Sequence, residues 1–370
     1  MTEKLQFLMK LNEFATQLYR NCATEKTNEN LAVAPFFLQN LLTATLVGVR
    51  GKTAEQLSQT LMYSGQGIST ILANFRELNS NYRDTESISV ASKMLVREPA
   101  QLDEQFPSDA RRDFDVSIQS FNSREKNFAT ADSVNKWVAE KTRQNVRECV
   151  KRGEDFDATK DSVVLINAVH FGALWEHKFI RQERKSNFWI NETQYQPTDF
   201  MNLRAKLRYS FCSDISARIL ELDFAEDDFA MVLLLPEQRC GLGRLIEQLP
   251  SINLMYAVAQ LRRQDVTVRM PRFKIDHGSR MRVALEQMGV RDLFSAQTAD
   301  LSGIVNDESF CVSEIIHRAS IAVGEDGDDG DHPGNPTSAP QEFTADHPFL
   351  FFVKHKCNVV FIGHVANPNQ

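Results

Sequence analysis

The sequence predicts a mixed α+β body, and three observations carry that expectation. The first half of the chain leans helical, with apolar residues recurring three and four positions apart. From Ala217 onward, short segments rich in branched and aromatic residues follow one another, separated by acidic or glycine turns. No internal repeat and no linker divides the 370 residues, so the two halves belong to a single domain, 1–370.

Phe7, Leu11, Phe14 and Leu18 share one helical face and open the chain with an amphipathic helix. Leu38, Leu41, Leu42, Thr45 and Leu46 continue as a second, more buried helix, which Gly48 and Gly51 break. Thr53-Ala54-Glu55-Gln56 has the form of a capping box and starts a third. Ser87 to Val96 alternates like a strand. Ser133 to Val146 puts Val134, Trp137, Val138 and Lys141 on one side of a half-exposed helix. Val163 to Phe171 is apolar on both strand faces, as a central strand is. Further strands follow at 217–224, 228–236, 265–275, 348–353 and 358–365, with one more helix from Met281 to Met288 before Gly289.

Bulk properties exclude several function classes. A net charge of -7 argues against a general nucleic-acid binder. The basic residues Arg262, Arg263, Arg269, Arg272 and Lys274 alternate with Val266, Val268 and Phe273 and read as the solvated face of a strand. Thr2, Glu3 and Lys4 lead into an amphipathic stretch, so no cleavable leader is visible. The longest apolar runs, such as Phe229 to Leu235, are too short to span a bilayer, and no membrane insertion is expected. Six scattered cysteines without a CxxC read as free thiols. Asn191-Glu192-Thr193 is a lone glycosylation sequon of a kind that arises by chance. No nucleophile elbow, phosphate loop, zinc motif or dinucleotide fingerprint occurs, so the chain is not expected to be an enzyme.

Between residues 325 and 331 five acidic residues crowd around Gly327 and Gly330. Laid over a calcium loop, Gly327 falls where a ligand is needed and Pro336 where the closing Glu belongs, so neither metal nor cofactor is expected.

Several motifs occur in one order along the chain: Asn167-Ala168-Val169-His170-Phe171 with Trp175 four residues later, VRMPRFKID (268–276), ADLSG (299–303), VSEIIHRASI (312–321), ADHPFLFFV (345–353) and FIGHVANP (361–368). In that order and spacing the chain resembles the serpins, the serine protease inhibitor family, from its first helix to its last strand. The resemblance implies a metastable serpin fold of three β-sheets with eight or nine α-helices and an exposed reactive loop near the C-terminus, at roughly 324–342. It implies a serine or cysteine protease as partner, no nucleic acid, and a monomer. In inhibitory members a protease cleaves the loop, which then inserts as a new strand into the largest sheet and deforms the acyl-enzyme.

The hinge of inhibitory members reads Glu-x-Gly, then Thr or Ser and a run of alanines. This chain keeps Glu325 and Gly327 and departs at Asp328, with Pro333 and Pro336 following. By the family's register Asp328 points inward on insertion, and burying an unpaired carboxylate costs several kcal/mol, an order-of-magnitude figure. Each proline deletes a ladder bond, at about 1 kcal/mol before steric clash. Counting from Gly327 by the family's spacing puts the reactive bond at Gln341-Glu342, whereas counting back from His347-Pro348 puts it at Thr337-Ser338. Asn167 and His317 occupy, by resemblance, the polar cluster beneath the central strands. The family's Ser-Pro-x-Ser motif reads Ala34-Pro35-Phe36-Phe37 here, which removes two hydroxyls from that sheet-opening cluster. Trp175 is grouped with that sheet-opening cluster, as a packing residue near the loop's entrance.

Two functions stand side by side at this point. One is a serpin with impaired or absent inhibition, serving as a binding or carrier molecule, a decoy or a substrate. The other is a suicide inhibitor acting by loop insertion. The family default is the extracellular space, while the missing leader and free thiols point to the cytoplasm.

Overall fold

The structure, a computed structural model, describes residues 3–122, 127–151, 162–307, 309–327 and 340–370. Among these residues are nine α-helices and three sheets of nine, five and two strands. Cα packing separates two units. One comprises 1–14, 34–171 and 278–320, the other 15–33, 172–277 and 321–370.

In the first unit, the helix Pro35–Gly48 is buried along nearly its whole length, as an almost continuous apolar sequence requires. Most of its polar groups are bonded: Thr43 and Thr45 donate to the carbonyls of Gln39 and Leu41, Asn40 donates to Phe114 O and Gln39 Nε2 to Leu61 O. Gly48 ends it where no side chain fits, since a Cβ would lie 2.2 Å from Ile304 Cγ1. The five-stranded sheet runs in the order Phe273–Arg280, Val312–Val323, Val163–Phe171, Ile88–Arg97, Val116–Phe121; its last three strands belong to this unit, with Val312–Val323 as far as Ser320 and Phe273–Arg280 only from Gly278. Val163–Phe171 is the central strand the sequence predicts, buried on both faces apart from His170. Helix Asn127–Lys141 covers one face of this sheet. Its Ala131, Val134 and Val138 pack with Ala91, Leu95, Val164, Ile166 and Ala168.

Three expected elements are placed differently. The third helix starts at Gly51 rather than Thr53, with Arg50 at its N-cap and no side-chain cap. Thr53 Oγ1 instead accepts from the amide of Asp300, and Gln56 Oε1 from the amides of Arg291 and Asp292, so the residues of the apparent capping box serve tertiary docking. The helix expected at 133–146 spans Asn127–Lys141 and stops where Arg143 and Gln144 take positive φ. The single strand expected at 265–275 is two, Arg262–Pro271 and Phe273–Arg280, in different sheets. Pro271, lacking an amide proton, stands at the change.

The second unit holds the nine-stranded sheet. Its order is Leu31–Val33, Asn358–Val365, Phe349–His355, Phe229–Pro236, Ala217–Asp223, Phe200–Cys212, Arg262–Pro271, Gln341–Thr344, with Ile180–Arg181 joined to Phe200–Cys212. Asn358–Val365 and Phe229–Pro236 are buried on both faces, which accounts for their unbroken apolar sequences. The basic alternation at 262–274 is surface chemistry, as expected. Arg262, Arg263 and Lys274 are exposed, Arg269 lies 4.7 Å over the Phe200 ring, and Arg272 pairs with Glu325. None of the six cysteines is in a disulfide.

Candidate hinge and sheet-opening cluster

The loop leaves strand Val312–Val323 at Gly324, and its first four residues lie along segment 175–179. Three consecutive carbonyls are held there. The Trp175 indole Nε1 donates to Gly324 O at 2.8 Å, the Phe179 amide to Glu325 O at 3.1 Å, and the Trp175 amide to Asp326 O at 3.0 Å. Gly327 then bridges Trp175 in parallel. A Cβ at 327 would fall 2.7 Å from Trp175 O and 3.0 Å from the Cα and N of Lys178, so the close backbone approach requires glycine. Trp175 is itself fixed, 2% exposed, stacked on Phe224 at 4.4 Å and tilted against Phe179 at 5.5 Å between centroids.

Glu325 adds a charged tether, its Oε2 lying 3.2 Å from Arg272 Nε. Its Oε1 is buried with no hydrogen-bond partner among the described residues. A cleft of about 700 Å³ opens beside this seat, bordered by Leu174, Asp199, Arg272, Lys274, Ala322 and Asp326. Among the described residues no three His, Cys, Asp or Glu side chains are grouped as metal ligands, and no helix is long and apolar enough to cross a membrane.

Asn167, His317 and Ala34 come together in the first unit. The Ala34 amide donates to His317 Nε2 at 3.0 Å. A backbone N–H can only donate, so Nε2 is the bare nitrogen, and Nδ1–H donates to Asn167 Oδ1 at 2.8 Å. The imidazole is therefore neutral, and it is fully buried. Asn167 Nδ2 donates to Ser92 Oγ at 2.9 Å and reaches Phe37 O at 3.4 Å. The sequence suggests fewer partners for this pair, given the missing hydroxyls. Two backbone groups of the Ala34-Pro35-Phe36-Phe37 segment and one serine take their place. Ser92 could have been found from the sequence only by pairing strands, because it lies directly opposite Asn167 in register. Trp175, grouped with this cluster by the sequence reading, makes its contacts with the hinge instead.

Gln341 and Glu342 lie in strand Gln341–Thr344, which pairs in parallel with Arg262–Pro271 in the register Val266 to Gln341 and Thr267 to Glu342. Asp328, Thr337 and Ser338 lie outside the described residues.

The serpin family profile, described as serine protease inhibitor, matches residues 9–368. The chain belongs to the serpin family. Leukocyte elastase inhibitor A of Rattus norvegicus is 27% identical over 96% of this chain and 97% of its own length, and the leukocyte elastase inhibitor of Xenopus laevis is 27% identical with the same coverage. Among solved structures, Serpin48 of the insect Tenebrio molitor aligns with a TM-score of 0.87 at 28% identity, covering 99% of each chain. Uncleaved ovalbumin aligns with a TM-score of 0.86 at 25% identity, covering 98% of this chain and all of that one. The expected serpin fold, with nine helices among the described residues and three sheets, is the fold this chain has.

Proposed function

We propose that this serpin is cleaved by its protease partner without trapping it, because its loop poorly enters the sheet it leaves, the five-stranded sheet of Val312–Val323 rather than the nine-stranded one, which has the most strands here. The observation that carries this reading is the seated hinge. Residues 324–327 are held by three backbone carbonyls, a bridge and an ion pair to the 175–179 segment and Arg272. Beyond the seat, Asp328, Pro333 and Pro336 are poor strand residues. Insertion must outrun deacylation, so slowing it even modestly turns an inhibitor into a substrate.

The reactive bond belongs at Thr337-Ser338 in this reading. Gln341-Glu342 is the weaker choice, since a bond whose strand is already laddered to Arg262–Pro271 offers a protease cleft no free backbone. A working inhibitor is the second reading, favoured by the name of the leukocyte elastase inhibitor relatives.

Incubation with trypsin-like, chymotrypsin-like, elastase-like and papain-like proteases separates the two. Clean cleavage with no detergent-stable complex and no rise in melting temperature of the nicked protein supports the proposal, and a rise without a complex means that the strand enters, only too slowly to trap. A covalent complex with any of the four overturns it.

A further inference from the structure

One motif in the chain serves neither the hinge nor the sheet-opening cluster. Asn191-Glu192-Thr193 has the Asn-x-Thr form of an N-glycan acceptor, whereas the only other such triplet, Asn335-Pro336-Thr337, carries the proline that prevents transfer. Asn191 stands at the tip of the two-stranded ribbon, between strands Ser186–Trp189 and Tyr195–Thr198. The ribbon closes where the Ile190 amide donates to Gln194 O at 2.9 Å, so residues 191–193 form a tight turn. Asn191 is half-buried, and Glu192, Thr193 and Gln194 are exposed. Such a tip lies open to a modifying enzyme.

The Asn191 side chain is held in one orientation. Its Oδ1 accepts from the Thr193 amide at 3.0 Å, from Thr193 Oγ1 at 3.2 Å and from the Gln194 amide at 2.9 Å. With the carbonyl turned into the loop, Nδ2 donates to Oε1 of the exposed Gln194 at 2.9 Å. An amide nitrogen carries two hydrogens, so one can be exchanged for a sugar while the other stays with Gln194.

Two positions earlier, on the same side of the ribbon by strand alternation, stands the half-buried Trp189. It faces Tyr195 across the ribbon, with ring centroids 5.1 Å apart, and the Arg239 guanidinium lies 3.8 Å over its ring. The Trp189 amide donates to Asp346 O at 2.7 Å, which ties this platform to the body of the second unit. Tyr195 is 51% exposed. Aromatic ring faces are electron-rich, and the C–H bonds on one face of a pyranose are slightly positive, so open rings beside an asparagine amide suit the first sugar of a glycan.

We propose that Asn191 is an N-glycosylation site and that its first N-acetylglucosamine packs on the Trp189–Tyr195 pair, tightening the ribbon. In the transfer, Nδ2 forms a bond to the sugar C1 of a polyprenyl-pyrophosphate-linked oligosaccharide and the C1–O bond to phosphate breaks. The lipid pyrophosphate leaves with the electron pair, and one Nδ2 proton passes to a base of the transferring enzyme. The reaction belongs to the lumen of the secretory route, so the proposal carries an extracellular placement with it.

The test joins a glycan map to a local stability measurement. The full chain, taken from its native source and also made behind a cleavable leader in a eukaryotic host that leaves high-mannose glycans, is treated with PNGase F and its peptides are weighed. Asn191 is expected to be converted to an aspartate in both preparations. N191Q and T193A are expected to carry no glycan, and T193S to keep it. A bare Asn191 in either wild-type preparation overturns the acceptor. For the packing, the host-made chain trimmed to one sugar by endoglycosidase H is compared with the bare chain made in bacteria. Hydrogen exchange at the Ile190 amide is expected to be about 2- to 12-fold slower in the trimmed chain, and the difference to vanish in W189L/Y195L. Equal exchange with and without the sugar, or a slowing that survives the loss of both rings, overturns the packing. Should the double variant fail to fold, the two wild-type preparations decide alone.

Discussion

Replacing Gly327 by alanine tests whether the hinge is seated or merely passes by. The added Cβ meets Trp175 O at 2.7 Å and the Lys178 backbone at 3.0 Å. These are main-chain atoms of a segment pinned by the Trp175–Phe224 stack, so the hinge must move rather than its neighbour. Overpacking of this kind costs about 1–3 kcal/mol. Losing a glycine also restricts the unfolded chain by about 0.4–1 kcal/mol, which enters the global stability with the opposite sign. The local cost of about 1–3 kcal/mol falls on the hydrogen bonds from the Trp175 and Phe179 amides to Asp326 and Glu325. Native-state hydrogen exchange at those two amides is therefore expected to speed up roughly 5- to 150-fold. Melting temperature is the poorer readout, because the two terms partly cancel there. Unchanged protection of both amides in G327A refutes the seat, since it means that the hinge has slack.

His317→Ala leaves the Ala34 amide and Asn167 Oδ1 without their partner in a buried place, at about 1–3 kcal/mol for each stranded group; calorimetry is expected to show a lower melting temperature, and an unchanged one refutes the bonding scheme. His364, 2.6 Å from the Tyr19 hydroxyl, is lowered by burial to about 4. Its contribution is complete above its unfolded value near 6.5 and is lost as pH falls through 4, about 3 kcal/mol for the one group. The slope of stability against pH in that window is expected to flatten in H364Q, and parallel slopes exclude the assignment. Arg272 and Glu325 are 41% and 18% exposed, so a double-mutant cycle of R272A and E325A is expected to give a coupling of about 0.5–1 kcal/mol. A coupling of several kcal/mol places the tether at the centre of the seat instead.

Elements with one physical solution were legible in the sequence. Nine residues apolar on both faces, Val163–Phe171, fit only a covered central strand. Phe7, Leu11, Phe14 and Leu18 are all buried, as their spacing requires. Where the same residues serve two ends, the reading fails. Thr53 and Gln56 satisfy a capping pattern equally well when they bond a distant segment, and only the fold decides between the two. Pro271 marks a strand's end, but nothing local says that the next residues join another sheet. At the candidate site, Asn167 and His317 were legible as a pair from the motifs around them. Their remaining partners were not, because two are backbone groups and the third, Ser92, becomes visible only through strand register.

The Asn167–His317 bond also locates where resistance to loop entry resides. Asn167 is on Val163–Phe171 and His317 on Val312–Val323, neighbours in the five-stranded sheet, so their 2.8 Å bond crosses the seam that an inserting strand must part. Opening the seam costs that bond and the ladder beside it. In a competent inhibitor the incoming strand returns two ladders and a buried face. Here each proline withholds about 1 kcal/mol of ladder, and Asp328 costs several more unless it takes up a proton. The seam keeps the Asn167–His317 bond although the Ala34-Pro35-Phe36-Phe37 segment brings no hydroxyl to it. On the proposed reading it is the inserting segment that governs the outcome. Replacing Asp328 to Pro336 with Thr and small apolar residues is expected to give a marked rise in melting temperature on cleavage, measured by differential scanning fluorimetry before and after nicking. If that replacement yields no rise, the resistance lies in the seam, and the argument passes from the loop to Ala34 and Phe37.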